Sequence, residues 1–160
     1  AHRMSRLVLV GSTPRFVQHG DWPAAMPAAV FGQFAAELGN DYRGTVLRFL
    51  SLQAGNDEDG RRLIKTLRRG IFARGEPHPQ ALAHGLDMLA HSDLRPRVPA
   101  IRHTALIVHG QHDRLAPPAA GAWLAENLPD AALESIEGAG HAPFLSHPRR
   151  VADRVRAFLQ

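Results

Sequence analysis

Two side chains in this sequence have the types and surroundings for acid–base chemistry. Asp113 ends the stretch TALIVHGQHD, in which a short apolar run meets a turn at His109-Gly110 and then an acid. An acid at the C-terminal end of a parallel strand stands where open α/β sheets keep their reactive groups. His141 follows in EGAGHAP, where Gly138 and Gly140 permit the sharp turns that lift a histidine over the strand ends. A carboxylate bonded to one ring nitrogen fixes the tautomer and stabilises the imidazolium. The other nitrogen is then available to take a proton from a nucleophile. Taken singly, Asp113 reads as a turn residue or helix cap and His141 as a satisfied loop histidine. The HGxxD turn and the Gly-x-Gly-His loop together favour the acid–base reading. Acid first and histidine second, both late in the chain, is one of the orders in which a serine, an acid and a histidine form a hydrolytic triad.

The nucleophile is the missing member. A serine activated in this order sits in G-x-S-x-G on a strand-to-helix elbow, and no such pentapeptide occurs. Ser12 follows an apolar run, but Gly11-Ser12-Thr13-Pro14 lacks the small residue two places on and the helix behind it. Ser5, Ser51, Ser92, Ser135 and Ser146 have no elbow context. The early strand and loop that normally supply oxyanion donors are not recognisable either. His109 and His112 are close in sequence, but no third ligand accompanies them, so no metal site is expected. No organic cofactor is expected.

The elements that must position Asp113 and His141 follow from periodicity. Residues 6–10, RLVLV, are apolar on both faces and read as a buried parallel strand. Residues 16–27 hold Gly20, Pro23 and Pro27 and read as a loop. Four helical patterns follow. Residues 28–38 place Val30, Phe31, Phe34 and Leu38 on one stripe. Asp41 is a candidate cap for the next helix, with its stripe at Val46, Phe49 and Leu50. Residues 61–72 carry Leu63, Ile64, Leu67 and Ile71 on one face. Residues 80–90 turn Leu82, Leu86 and Leu89 inward. A linker over 93–103 leads to a strand at 104–108, a helix at 118–127, a strand at 132–136 and a last helix at 148–159, with Pro148 well placed at its start. This order suggests the back half of a doubly wound parallel sheet carrying a helical insert. It divides the chain into a core strand (1–14), a helical cap (15–95) and a C-terminal core with the acid and base loops (96–160).

Composition narrows the function classes. At 160 residues, 44% hydrophobic and 21% charged, the chain is long enough for one real core. It has no cysteine, which excludes disulfides and thiolate metal sites and fits a reducing, cytoplasmic setting. No apolar run is long enough to span a bilayer. The net charge of +4, without aromatic–basic interleaving or a nucleic-acid motif, gives no reason to expect nucleic acid. The basic residues gather instead between Arg43 and Arg74, with Arg61, Arg62, Lys65, Arg68 and Arg69 on one side of a helical pattern. Such a face is ordinarily just solvated. Beside a site mouth it would also suit a phosphate-bearing or acidic partner.

Several stretches together resemble the C-terminal portion of the pimeloyl-[acyl-carrier protein] methyl ester esterases of biotin synthesis, a family of α/β-hydrolases. They are RLVLVGSTPRF, DWP, TVLRFLSLQ, HSDLRP, HGQHDRLAP and GAGHAPFLSHP, and they run nearly the whole length of the chain. The last two are common to many α/β-hydrolases; TVLRFLSLQ and HSDLRP are more specific. The resemblance implies the C-terminal part of an α/β-hydrolase fold with a four-helix cap. It makes Asp113 and His141 the catalytic acid and base. It also implies that Phe49, Leu50, Ser51, Leu52 and Gln53, with His141, contact the acyl substrate. Arg48, Arg61 and Lys65 match positions that contact acyl-carrier protein, and Arg43 stands beside Gly44, where an arginine would be expected. The implied partner is acyl-carrier protein bearing a pimeloyl methyl ester, with no membrane or nucleic acid. The complete fold takes about 200–250 residues, so the front half, with the nucleophile elbow, is expected to lie outside these 160 residues. Two alternatives remain from the residues alone: a general esterase or lactonase on the same scaffold, and a non-catalytic binding module or stranded half-domain.

Overall fold

The computed structural model describes residues 4–53, 58–73 and 75–160; the side chains of 52, 53, 58–63 and 66 are outside the description. Three parallel strands form the sheet in the order β1-β2-β3, with β1 at Arg6–Val10, β2 at Thr104–Gly110 and β3 at Ala131–Ile136. β1 pairs in register from Arg6 with Thr104 to Val10 with Val108, and β2 pairs with β3 from Ala105 with Ala131 to Gly110 with Ile136.

Strand alternation sends β2 side chains to both faces, and both faces are covered. Leu106 and Val108 pack with Ile136, Ala139 and Val151, joined by Val155 and Phe158 of α7 (Pro148–Leu159). Ala105 and Ile107 pack on the opposite face with Val98, Leu124 and Leu128, under α5 (Pro118–Asn127). Leu106, Ile107 and Val108 are fully buried, as a central parallel strand requires.

Four helices lie between β1 and β2: α1 (Ala28–Asn40), α2 (Tyr42–Gln53), α3 (Glu58–Phe72) and α4 (Pro79–His91). Asp41 does start α2, its Oδ1 accepting from the Gly44 amide at 2.9 Å. The insert is tied to the sheet side through Val17, Met26, Phe31 and Leu115, with Phe49 and Leu86 packed against them. The reading of Leu89 as inward fails: it is 42% exposed, and no α4 residue is fully buried. Leu86 packs against that cluster, but Leu82 and Leu89 look into an open cleft. The 93–103 linker contains a 3₁₀ turn at Arg95–Ala100 that buries Val98. A short helix absent from the sequence reading, α6 (Pro143–Ser146), follows the His141 loop.

Candidate active site

β2 runs two residues beyond its apolar core, through His109 and Gly110, and delivers the acid loop at its C-terminal end. The Gln111 amide donates to the Ile136 carbonyl at 3.0 Å and the His112 amide to the Ala139 carbonyl at 2.9 Å. These bonds lay the acid loop along the base loop that leaves β3. The approach is so close that a Cβ on Gly110 would run into the carbonyl oxygens of Gly140 and Ala139. On the other flank Gly11, at φ +53°, backs the histidine; a Cβ there would stand 2.7 Å from the His141 carbonyl oxygen and 3.2 Å from its Nδ1. Glycine is thus required at both places, once for space and once also for backbone sign.

Within this frame Asp113 and His141 meet. His141 Nδ1 lies 2.9 Å from Asp113 Oδ2. The other carboxylate oxygen, Oδ1, accepts the amides of Leu115 at 2.9 Å and Ala116 at 3.0 Å. The Asp113 side chain is wholly buried, whereas that of His141 is 31% exposed. Burial by itself would raise the Asp113 carboxyl. Hydrogen bonding from His109 and His141, the charge of His141 and the Ala116 amide outweigh it and hold the group well below the usual carboxylate range. The Asp113 carboxylate faces Nδ1, so that nitrogen donates its N–H to Oδ2. Nε2 has no hydrogen-bond partner among the described residues. That is the arrangement of a general base waiting for a hydroxyl.

No described serine completes it. Ser12 turns its hydroxyl back to the Val10 carbonyl at 3.3 Å, and Ser51 to the Leu47 carbonyl at 2.8 Å. His109 is not half of a metal pair: its Nε2 lies 2.7 Å from the Ala116 carbonyl, inside the core. Among the described residues no group of three His, Asp or Glu side chains could hold a metal ion.

An apolar cleft of about 610 Å³ opens beside the acid loop, between α1, α2 and α4. Leu115, two residues past the acid, belongs to its wall, with Phe16, Met26, Phe34, Phe49 and Leu86. Phe34 and Phe49 tilt against each other at 5.6 Å. The volume lies within the ordinary range for small-molecule sites, about 300–1,000 Å³. Of the five residues expected to contact the acyl substrate, Phe49 stands on the wall of this cleft. Leu50 and Ser51 do not, because each step along α2 rotates the side chain about 100° away from the face that Phe49 presents. The side chains of Leu52 and Gln53 fall outside the described residues. The α1 and α4 contributions were missed as lining. The available signal was a pair of helices with more apolar surface than the core behind them could use.

The basic positions divide. Arg43 pairs with Glu76 at 2.7 Å and lies over the Phe72 ring at 5.0 Å. Arg48 reaches Glu37 at 3.1 Å and Asp41 at 3.8 Å. The Arg61 side chain is outside the description. Lys65, Arg68 and Arg69 line a shallow cleft with Arg43, Leu47 and Phe72, and meet no carboxylate among the described residues.

Comparison with known proteins places this architecture. The family model of the alpha/beta hydrolase fold matches residues 1–148. This chain belongs to the α/β-hydrolase family. The fold of this α/β-hydrolase chain superposes on an esterase from Exiguobacterium antarcticum with a TM-score of 0.85 at 21% identity, over 96% of this chain and 56% of the other. Among curated sequences it is 43% identical over 153 residues to a pimeloyl-[acyl-carrier protein] methyl ester esterase of Xanthomonas axonopodis pv. citri, covering 96% of this chain and 60% of that one. It is 40% identical over 148 residues to the protein of the same name from Nitrosomonas europaea, covering 92% of this chain and 59% of the other. The chain thus spans about 60% of the length of these relatives.

Proposed function

We propose that this chain carries the acid, the base and the acyl pocket of a serine carboxylesterase that cleaves the methyl ester of pimeloyl-acyl-carrier protein. The observation that carries the reading is the 2.9 Å bond between wholly buried Asp113 and a His141 whose Nε2 is unengaged. The nucleophilic serine and the oxyanion donors come from sequence outside these 160 residues. His141 takes the serine proton as the hydroxyl attacks the ester carbonyl, then gives it to departing methanol. It next activates water to release the acid, while Asp113 holds the ring and balances its charge. Residues 15–95 act as the cap. Its apolar cleft, including Phe49 and Leu115, takes the methylene chain at about 0.8 kcal/mol per buried CH₂. The acidic carrier docks on the α3 face at Lys65, Arg68 and Arg69, with Arg43 at its margin; Arg48, engaged by Glu37, contributes less. The names of the curated relatives support the substrate, and a cysteine-free composition is compatible with a cytoplasmic enzyme.

The test uses the chain extended by the residues its gene encodes upstream. His141→Ala should abolish hydrolysis of both carrier-bound and small methyl esters. Lys65→Ala, Arg68→Ala and Arg69→Ala together should lower kcat/KM for the carrier-bound ester about tenfold or more at low salt while sparing a small ester. Equal loss on both substrates would refute the docking face, and an unaffected His141→Ala would refute the mechanism.

A further inference from the structure

Among the described residues, His109 is the most deeply buried titratable side chain outside the acid–base pair, 2% exposed on the strand that ends in the acid loop. Its Nε2 lies 2.7 Å from the Ala116 carbonyl, so this nitrogen carries the hydrogen and donates across the loop. Ala116 is also one of the two amides that bind Asp113 Oδ1. The same Nε2 stands 3.4 Å from Asp113 Oδ2, close enough to favour the charged carboxylate without being its principal donor. The ring seats against α5, where a Cβ on Gly121 would come within 2.5 Å of Nδ1. Nδ1 itself is buried without a partner. A side chain kept for packing alone would not leave such a nitrogen in the core, since an unsatisfied buried polar atom costs free energy that an apolar ring of similar size avoids.

We infer that His109 is a positioning residue. It is a strut from β2 to the Ala116 peptide, seated on Gly121, that holds the loop whose amides aim Asp113 at His141. The chain of contacts is His109 Nε2 to Ala116 carbonyl, Ala116 amide to Asp113 Oδ1, and Asp113 Oδ2 to His141 Nδ1. Each link is a hydrogen bond, and the first spans the residues between strand and loop end. Without it the far end of the segment from Gln111 to Ala116 is left to the packing of Leu115 and to the carboxylate it is meant to hold. The inference deepens the proposed roles of Asp113 and His141, but its test does not depend on activity.

Amide hydrogen exchange of this chain, read by NMR, separates a strut from packing. His109→Phe keeps the ring volume and removes the donor. His109→Gln keeps an N–H near the position of Nε2. The Phe variant should speed exchange at the Leu115 and Ala116 amides about tenfold or more relative to Leu106 and Val108 in the sheet, and the Gln variant should restore most of it. Gly121→Ala leaves His109 in place but crowds its ring, and should loosen the same two amides. Equal behaviour of the Phe and Gln variants, or acceleration spread evenly over sheet and loop, would overturn the strut. If the Phe variant does not fold, Gly121→Ala decides: unchanged Leu115 and Ala116 exchange then overturns it. In the extended esterase, an intact strut effect on these amides with no change in kcat would count against the roles of Asp113 and His141 while leaving the strut standing.

Discussion

The DWP and HSDLRP stretches meet across the base of the helical insert, and breaking their junction has a calculable cost. Arg95 donates to Asp93 from Nε at 2.9 Å and from Nη2 at 2.6 Å, and to Asp21 at 3.1 and 3.2 Å. Arg15 reaches the same Asp93 at 2.9 Å, and its carbonyl accepts from the Trp22 indole at 3.0 Å. The guanidinium of Arg95 also lies 5.2 Å from the Trp22 ring centre. The side chains of Arg95 and Asp93 are only 17% and 23% exposed, so this pair is screened less than a surface pair. A hydrogen bond to a charged group contributes about 1.5–3 kcal/mol when shielded, and an exposed ion pair about 0–1. For Arg95→Gln a loss of about 2 kcal/mol follows, moderated because Asp93 keeps Arg15. Asp21 is largely exposed and should add little. The assay is urea unfolding of Arg95→Gln, Asp93→Asn and the double variant. A coupling of about 1–2 kcal/mol is expected. The sign of the pH dependence is a second check. The hydrogen bonds from Arg95 hold Asp93 well below the usual carboxylate range against the opposing push of burial. Its contribution is therefore present above the unfolded carboxylate value of about 4 and lost as pH falls below it. Arg95→Gln should flatten that acid limb. Additive single variants, within about 0.3 kcal/mol, would refute the reasoning.

Two further perturbations probe the site. Gly110→Ala drives a methyl group into the Gly140 and Ala139 carbonyls, so it should cost about 2 kcal/mol or more in thermal or urea unfolding and disorder the His141 loop before the sheet. Asp113→Asn removes a carboxylate whose folded pKa is depressed, so the variant should be less stable than the parent at neutral pH. Its deficit should shrink as pH falls below about 4, where the carboxylate of the unfolded parent begins to take up a proton that the folded one still refuses; a deficit independent of pH would refute the assigned charge.

The pairing of Asp113 with His141 was legible because the two sit in short, local signals. An apolar run, a turn and an acid occupy one stretch, and glycines bracket the histidine, so each can be read without knowing its neighbours. β2 was legible for the same reason: its apolarity on both faces follows from burial under α5 and α7. β1 was expected to be buried too, but at the edge of the three-stranded sheet Leu7 to Val10 are only partly covered and Arg6 is exposed. The helical stripes gave element type but not destination. Val30 and Leu89 have the spacing of core residues, yet they are 53% and 42% exposed on the wall of a cleft. Periodicity reports that one face avoids water; it does not distinguish a neighbouring helix from a site kept open for an apolar ligand.

What the sequence concealed is non-local. Asp21 and Arg95 are separated by most of the insert, and nothing in DWP or DLRP taken alone says that one carboxylate and one guanidinium will share a junction with Asp93 and Arg15. The same holds for His109. In the sequence it is only a histidine near His112, with no third ligand to make a metal site. Strand pairing turns it inward, towards Gly121, while His112 follows the loop to the Ala139 carbonyl. The two histidines part company because one ends a buried strand and the other begins a turn. That separation leaves one imidazole inside the core, bonded to the Ala116 carbonyl of the acid loop, while a third, His141, keeps a ring nitrogen with no partner among the described residues.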